Sequence, residues 1–319
     1  MKKALVIGID DYPRAPLNGC VNDASSLAEL LRTNGDGSPN FDVSLKLNVS
    51  TKNELLELID NLFSGDADVS LLYFSGHGTE NGHLVTPDYN GRDAGVLMSE
   101  VLGYANRSNC RNKVIILDCC YSGKFGENNI TKSHESTLGE GVTIMTASSR
   151  EEVAMESAGQ GVFTSLFLQS LRGSAADITG KITPAGIYAF IDQSLGAWQQ
   201  RPIFKTNISQ FISIRDIEPR VPKLILRKLG KYFESPSDTF DLNPSFEFTN
   251  DPKIEHSVIE PYADVDNVSV FKELQLLESV GLIEPVDEEH MYFAAMNSKS
   301  CKLTALGLHY WKLSRDSRF

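Results

Sequence analysis

His77 and Cys120 are the two side chains of this 319-residue chain whose surroundings suit chemistry. His77 stands in Leu72-Tyr73-Phe74-Ser75-Gly76-His77-Gly78, and Cys120 in Val114-Ile115-Ile116-Leu117-Asp118-Cys119-Cys120-Tyr121-Ser122-Gly123. Each segment is an apolar, partly β-branched run that stops at a reactive side chain, with glycine close behind. Runs of this kind predict buried strands of a parallel sheet, and residues just past strand ends lie where α/β folds assemble their sites. An imidazole can take the proton of a thiol and later deliver it to a leaving amine, so the pair predicts catalysis by a thiolate nucleophile. Gly76 and Gly78 allow close backbone approach beside the histidine. Gly123 allows a tight turn whose N–H groups could form an oxyanion hole. Taken singly, the two would read as a loop histidine and an inert core thiol; their equivalent strand-end positions favour the pair.

The elements that must position them alternate. Residues 2–9 predict a strand, and Cys20 to about Gly35 an amphipathic helix with Leu27, Leu30 and Leu31 on one face. Asp42 to Val49 predicts a strand, and Thr51 to about Phe63 a helix opened by a Thr51/Glu54 capping box. The histidine strand, a helix near Met98–Asn106 and the cysteine strand follow. Beyond them come a strand at Gly141–Ala147, helices near Phe163–Leu171 and Pro184–Leu195, and a segment Ile203–Ile208 able to close the sheet. This order predicts a mostly parallel sheet with helices on both faces.

Composition narrows the function. With 41% hydrophobic residues the chain can bury a large core, and its net charge of −12 argues against a nucleic-acid or anionic-membrane binder. Met1-Lys2-Lys3 and the apolar residues after them are too short for a signal peptide and are interrupted by Asp10 and Asp11, so they read as the first strand. No stretch approaches a membrane span. Five cysteines, unpatterned and odd in number, suit a reducing compartment and predict a cytoplasmic protein. The histidines show no metal-ligand spacing, so no metal or other cofactor is required. No compact acidic loop of the EF-hand type is present, and scattered carboxylates leave weak calcium binding open.

The alternation stops near Pro219. A Pro-, Ser-, Asp- and Asn-rich segment from Glu234 to Pro261 precedes an amphipathic helix over 268–281, a strand-like pair at Ile283–Val286 and Met291–Ala295, and a final helix from Leu303 to about Leu313. That order predicts a small α+β, winged-helix-like domain over 220–319, after a first domain over 1–215. Residues 220–319 hold twelve Lys and Arg against sixteen Asp and Glu, and the best groove-reading helix carries only Lys272 against Glu273 and Glu278. A DNA reader normally brings several cations to the phosphates, so an interaction or autoinhibitory role is the better reading. Phe271, Leu274, Leu277, Leu282, Tyr310 and Trp311 read as its core.

Ser75-Gly76-His77-Gly78 after one apolar strand and Asp118-Cys119-Cys120-Tyr121-Ser122-Gly123 after another resemble the caspase-like cysteine peptidases, in the metacaspase and bacterial caspase-like branch of peptidase family C14. The resemblance extends over about residues 1–215. It takes in Leu5-Val6-Ile7-Gly8-Ile9-Asp10, Gly19-Cys20-Val21-Asn22-Asp23-Ala24, Thr146-Ala147-Ser148, Gly161-Val162-Phe163-Thr164 and Gln200-Arg201-Pro202. It implies a caspase-haemoglobinase-type six-stranded sheet, and it selects Cys120, which directly precedes the Tyr-Ser-Gly triplet. Strand alternation points Cys119 the other way, into packing.

The family resemblance also implies that Asp23 and Asp118 bind a basic P1 side chain, a carboxylate pair being suited to a guanidinium. Asp23 could instead cap the helix beginning near it, and Asp118 could accept backbone hydrogen bonds at its strand end. The polar segment Lys124–Glu135 matches the family's linker between large and small subunits, making Lys124 and Lys132 candidate self-cleavage sites; an ordinary surface loop is the equal reading. The whole predicts a cysteine endopeptidase cleaving protein substrates after Arg or Lys. It would be held as a zymogen, or regulated by an activating or inhibitory protein partner through the C-terminal domain. By analogy it would serve a bacterial stress or antiviral defence pathway. The alternatives are a silent caspase-like scaffold, against which retention of both His77 and Cys120 speaks, and a DNA-associated regulator.

Overall fold

The computed structural model describes residues 1–90, 93–119, 127–128, 133–147, 156–157, 160–195, 202–253 and 258–318. They divide into two compact units, Met1–Glu218 and Pro219–Phe319.

The first unit is built on a six-stranded sheet. Strands β1 (Lys2–Gly8), β2 (Asp42–Leu47), β3 (Val69–Ser75), β6 (Asn112–Asp118) and β7 (Val142–Thr146) run parallel, and β8 (Ile203–Asn207) lies antiparallel on the edge beside β7. The order across the sheet is β8-β7-β6-β3-β1-β2. A small hairpin of β4 (His83–Val85) and β5 (Gly95–Leu97) stands between β3 and β6 in the chain.

Both sheet faces are covered, which explains why the middles of the central strands are continuous apolar runs, Ala4–Ile7, Leu71–Phe74 and Val114–Leu117. Leu5, Ile7, Leu72, Phe74, Ile115 and Leu117 point to one side, where they pack with Leu55 and Ile59 of α2 (Lys52–Phe63) and Val101 of α3 (Met98–Arg107). Their neighbours Ala4, Val6, Leu71, Tyr73, Val114 and Ile116 point to the other. There they meet Leu27 and Leu31 of α1 (Cys20–Arg32), Phe167 of α4 (Val162–Gln169), and Ile187 and Ile191 of α5 (Pro184–Ser194). Two three-residue-scale signals set helix starts. The Thr51 side chain accepts from Glu54 N at the start of α2, and Thr183 accepts from Gly186 N ahead of Pro184 in α5.

The second unit carries a three-stranded antiparallel sheet of β9 (Thr239–Asp241), β10 (Ile283–Val286) and β11 (Ser300–Leu303), with β11 in the middle. Its longer helices are α6 (Val265–Ser279), α7 (Met291–Met296) and α8 (Ala305–Arg315). The expected strand at Met291–Ala295 is helical instead, and Ser300–Leu303 pairs with Ile283–Val286 in its place. Met291, Ala294 and Ala295 are the buried members of that run, a spacing of three and four that marks one helical face. A short apolar run does not distinguish helix from strand by period. Phe271, Leu274, Leu277, Leu282 and Tyr310 are core, while Trp311 is half-buried and donates its indole N–H to Phe233 O at 2.7 Å.

Candidate functional site

The sheet register brings the two motif-bearing strands together. Ser75, two residues before His77, pairs with Asp118, two residues before Cys120. The backbone beyond the pair stays in contact, with Gly76 N donating to Asp118 O at 3.4 Å. Cys120, Gly123, Lys124 and Lys132 lie outside the described residues. Cys119, the residue before the expected nucleophile, is 1% exposed and packs in the core beside Leu117.

His77 is half-buried and held at every polar point of its backbone. Its N–H donates to the Tyr12 hydroxyl at 3.1 Å, and its carbonyl accepts from Val85 N at 2.9 Å. The ring stands beside Tyr12, with centroids 4.5 Å apart and planes at 59°. Nε2 meets the carbonyl oxygen of Ala15 at 2.7 Å. A carbonyl can only accept, so Nε2 carries the hydrogen, and a neutral ring then presents the Nδ1 lone pair as its basic site. Gly78, the next residue, sits in an antiparallel bridge with Leu84.

A second constellation forms on the other side of the sheet end. Asp23 and Asp118 are buried, at 2% and 6% exposure, and both face Gly161 at the start of α4. Asp23 Oδ2 accepts from Gly161 N at 3.1 Å. Asp118 Oδ2 accepts from the Thr164 hydroxyl at 2.5 Å, which leaves Thr164 Oγ1 to accept from Tyr73 O–H at 2.6 Å. A side chain at Gly161 would meet Asp118 Oδ2 at 2.5 Å and Asp23 Oδ2 at 3.4 Å, so the two carboxylates flank one point. The orphan N–H groups of a helix start and its dipole favour negative charge there. Burial, followed by the neighbouring Asp118 and Asp23 charges, holds the Tyr73 phenol well above its ordinary value, so it remains a donor.

Asp23 does not cap its own helix. The first N–H groups of α1, those of Cys20 and Val21, go to the carboxylate of Asp10 at 2.9 and 3.2 Å. Asp118 serves a side-chain donor 46 positions away as well as standing at its strand end. Tyr12, Ala15, Thr164 and Tyr73 are the contributors that spacing alone did not single out. Tyr73 and Thr164 stood within the motifs given above, but the contacts of all four cross between distant segments.

The caspase domain family matches residues 1–204. The chain belongs to that family. Its fold is also that of a solved caspase, caspase-1 from Spodoptera frugiperda, at 16% identity and a TM-score of 0.50, over 68% of this chain and 90% of that one. A Geobacter sulfurreducens protein matches at 16% identity and a TM-score of 0.48, over 68% of this chain and 97% of that one. No curated protein matches the chain. The caspase domain accounts for the six-stranded sheet with its antiparallel edge and makes this a caspase-like peptidase domain. Among the described residues no helix is long and apolar enough to cross a membrane, and no cluster of three or more His, Cys, Asp or Glu could hold a metal ion.

Proposed function

We propose that the chain is a cysteine endopeptidase that cleaves proteins after Arg or Lys, with Cys120 as nucleophile and His77 as base and acid. The observation that carries this reading is the convergence of Asp23 and Asp118 on Gly161, Asp118 standing at the end of the strand that leads to Cys120 in the chain and whose neighbour leads to His77. Two buried carboxylates at one point suit a guanidinium, which can engage them through several donors, and repel the acidic P1 residues that a basic pocket would select.

The chemistry runs through His77 Nδ1. It accepts the Cys120 thiol proton, and the thiolate sulfur bonds to the carbonyl carbon of the P1 residue. Backbone N–H groups near Gly78 and Gly123 take the negative oxygen. Collapse of the tetrahedral adduct breaks the C–N bond, and the His77 imidazolium protonates the departing amine. Water then attacks the thioester, His77 takes its proton, and the carboxylic product leaves with the thiol restored. Because Ala15 O accepts the hydrogen on Nε2, Nδ1 is the nitrogen through which the neutral ring can accept a proton. The C-terminal unit serves as an interaction or regulatory module. Its net negative charge supports a protein partner over DNA.

The test is a peptide library varied at P1, with purified protein and a Cys120→Ala control, with and without calcium. Turnover after Arg or Lys that vanishes in the control is expected. Turnover after Asp would remove both carboxylate assignments.

A further inference from the structure

We propose that Tyr12 is the positioning residue for His77, its hydroxyl clamping the histidine's backbone so that the imidazole keeps one orientation. The inference rests on His77 being the base. Tyr12 lies in the segment between β1 and α1 and is 6% exposed. Its hydroxyl accepts from His77 N at 3.1 Å and donates to Val85 O at 3.2 Å, while Val85 N donates to His77 O at 2.9 Å. These three bonds close a ring around the histidine's main chain. Phenylalanine could fill the same space, but it would leave the His77 N–H and the Val85 carbonyl without this partner in a largely dry setting.

The same segment controls the side chain. Ala15, three residues after Tyr12, supplies the carbonyl that accepts Nε2–H at 2.7 Å, and the Tyr12 ring stands 4.5 Å from the imidazole. One loop thus fixes the backbone, the ring plane and the tautomer. The loop is itself anchored. Tyr12 N and Leu17 N donate to Asp10 O at 2.8 and 3.0 Å, and the Asp10 carboxylate is tied to the first turn of α1. Burial, the largest influence on the phenol, raises it far above its ordinary range, so the hydroxyl keeps the proton it donates to Val85.

Gly76 offers an independent handle on the same clamp. A side chain there would approach the Tyr12 hydroxyl to 2.5 Å, from the side of the histidine strand and without altering Tyr12. Alanine at 76 must displace that hydroxyl or be displaced by it.

The experiment compares full-length wild type, Tyr12→Phe and Gly76→Ala. Steady-state cleavage of a P1-Arg peptide gives kcat and KM separately, and hydrogen exchange followed by mass spectrometry reads the peptide spanning Ser75–Gly78. A loosened base misaligns the reacting atoms without weakening substrate binding, so kcat should fall about 10- to 100-fold while KM stays within about twofold. Exchange at residues 76–78 should quicken in both variants while the rest of the sheet exchanges as in wild type. Tyr12→Phe with kcat within about twofold of wild type would overturn the clamp, as would unchanged exchange at His77. A uniform rise in exchange, with activity falling only as folded protein is lost, would make Tyr12 merely structural and also overturn it. Failure of the underlying reading looks different. Wild type would then cleave no P1 variant and show no preferential alkylation of Cys120, and the role of Tyr12 would fall with that of His77.

Discussion

Thr164 donates its hydroxyl proton to Asp118 Oδ2 across 2.5 Å, so a helix start holds the carboxylate at the end of a central strand. Tyr73, from the adjacent strand, completes the line by donating to Thr164. Thr164 is fully buried, and valine matches its shape while deleting the donor. Thr164→Val should lower kcat/KM on P1-Arg peptides about tenfold and cost about 1–3 kcal/mol of stability, since it strips a partner from a buried carboxylate and from a buried phenol. Thr164→Ser, which keeps the hydroxyl, should recover most of both. Initial rates and urea unfolding decide it; undiminished kcat/KM in the valine variant would detach Asp118 from substrate recognition.

Gly161 tests the carboxylate pair without removing either charge. Its backbone sits at φ −63° and ψ 133°, a conformation that alanine adopts freely, so the substitution acts through space alone. The added carbon would crowd Asp118 Oδ2 at 2.5 Å. Gly161→Ala should raise KM for P1-Arg peptides about tenfold or more at a stability cost of about 1–3 kcal/mol, the usual range for overpacking. Unchanged KM would place the bound side chain away from this point.

Much of the first unit is legible in its sequence because its physics is local. Continuous β-branched apolar runs such as Val114–Leu117, ending at a polar residue with glycine close behind, favour strands covered on both faces, and Thr51 with Glu54 marks a helix start within four residues. The order of the strands and the antiparallel direction of Ile203–Asn207 are set by pairings between distant segments, which no local run reveals. The hairpin of His83–Val85 and Gly95–Leu97 is illegible by comparison, being three-residue strands too short to show a period. Tyr12 and Ala15 are hidden for another reason. Their contacts to His77 span 65 and 62 positions, and no spacing rule reaches across them. In the second unit, Met291–Met296 is apolar enough for either element, and only the burial of Met291, Ala294 and Ala295 on one face settles it as helix.

Four of the thiols are closed off by burial. Cys20, Cys110, Cys119 and Cys301 are all buried. Burial pushes the Cys20 thiol well above its ordinary range and the Cys301 thiol up to about 12. Cys110, which accepts from Ser70 at 3.0 Å, is shielded by access, being 2% exposed. Iodoacetamide at neutral pH should therefore modify Cys120 ahead of these four, as read by peptide mass spectrometry. Early labelling of Cys20 or Cys301 would contradict the packing. Cys301 also carries a signed pH dependence, because its neutral form is favoured in the folded state. Its contribution is fully present below the unfolded value near 9.0 and is lost as pH rises toward about 12, at about 1.4 kcal/mol per pH unit. Cys301→Ala should flatten that slope in the alkaline arm of a stability profile.

Asn48 ties the histidine's loop to the second strand. Its backbone is left-handed, with φ 53°, and its N–H donates to Gly8 O at 2.8 Å. Its side-chain oxygen accepts from Asp10 N and Asp11 N at 2.9 and 3.2 Å, and its amide donates to Asp11 Oδ2 at 2.7 Å. Asparagine serves both needs, since it tolerates the left-handed region and can bond to the chain nearby. Asn48→Gly keeps the backbone freedom and loses the side chain; Asn48→Ala loses the side chain and strains the backbone as well. Both should be destabilised, the alanine variant by about 1 kcal/mol more. Because Asp10 and Asp11 begin the segment that carries Tyr12 and Ala15, both should also lower kcat more than they raise KM. Equal stabilities for the two variants would remove the backbone argument, and an unchanged kcat in a destabilised protein would show that the loop holds its histidine contacts without Asn48.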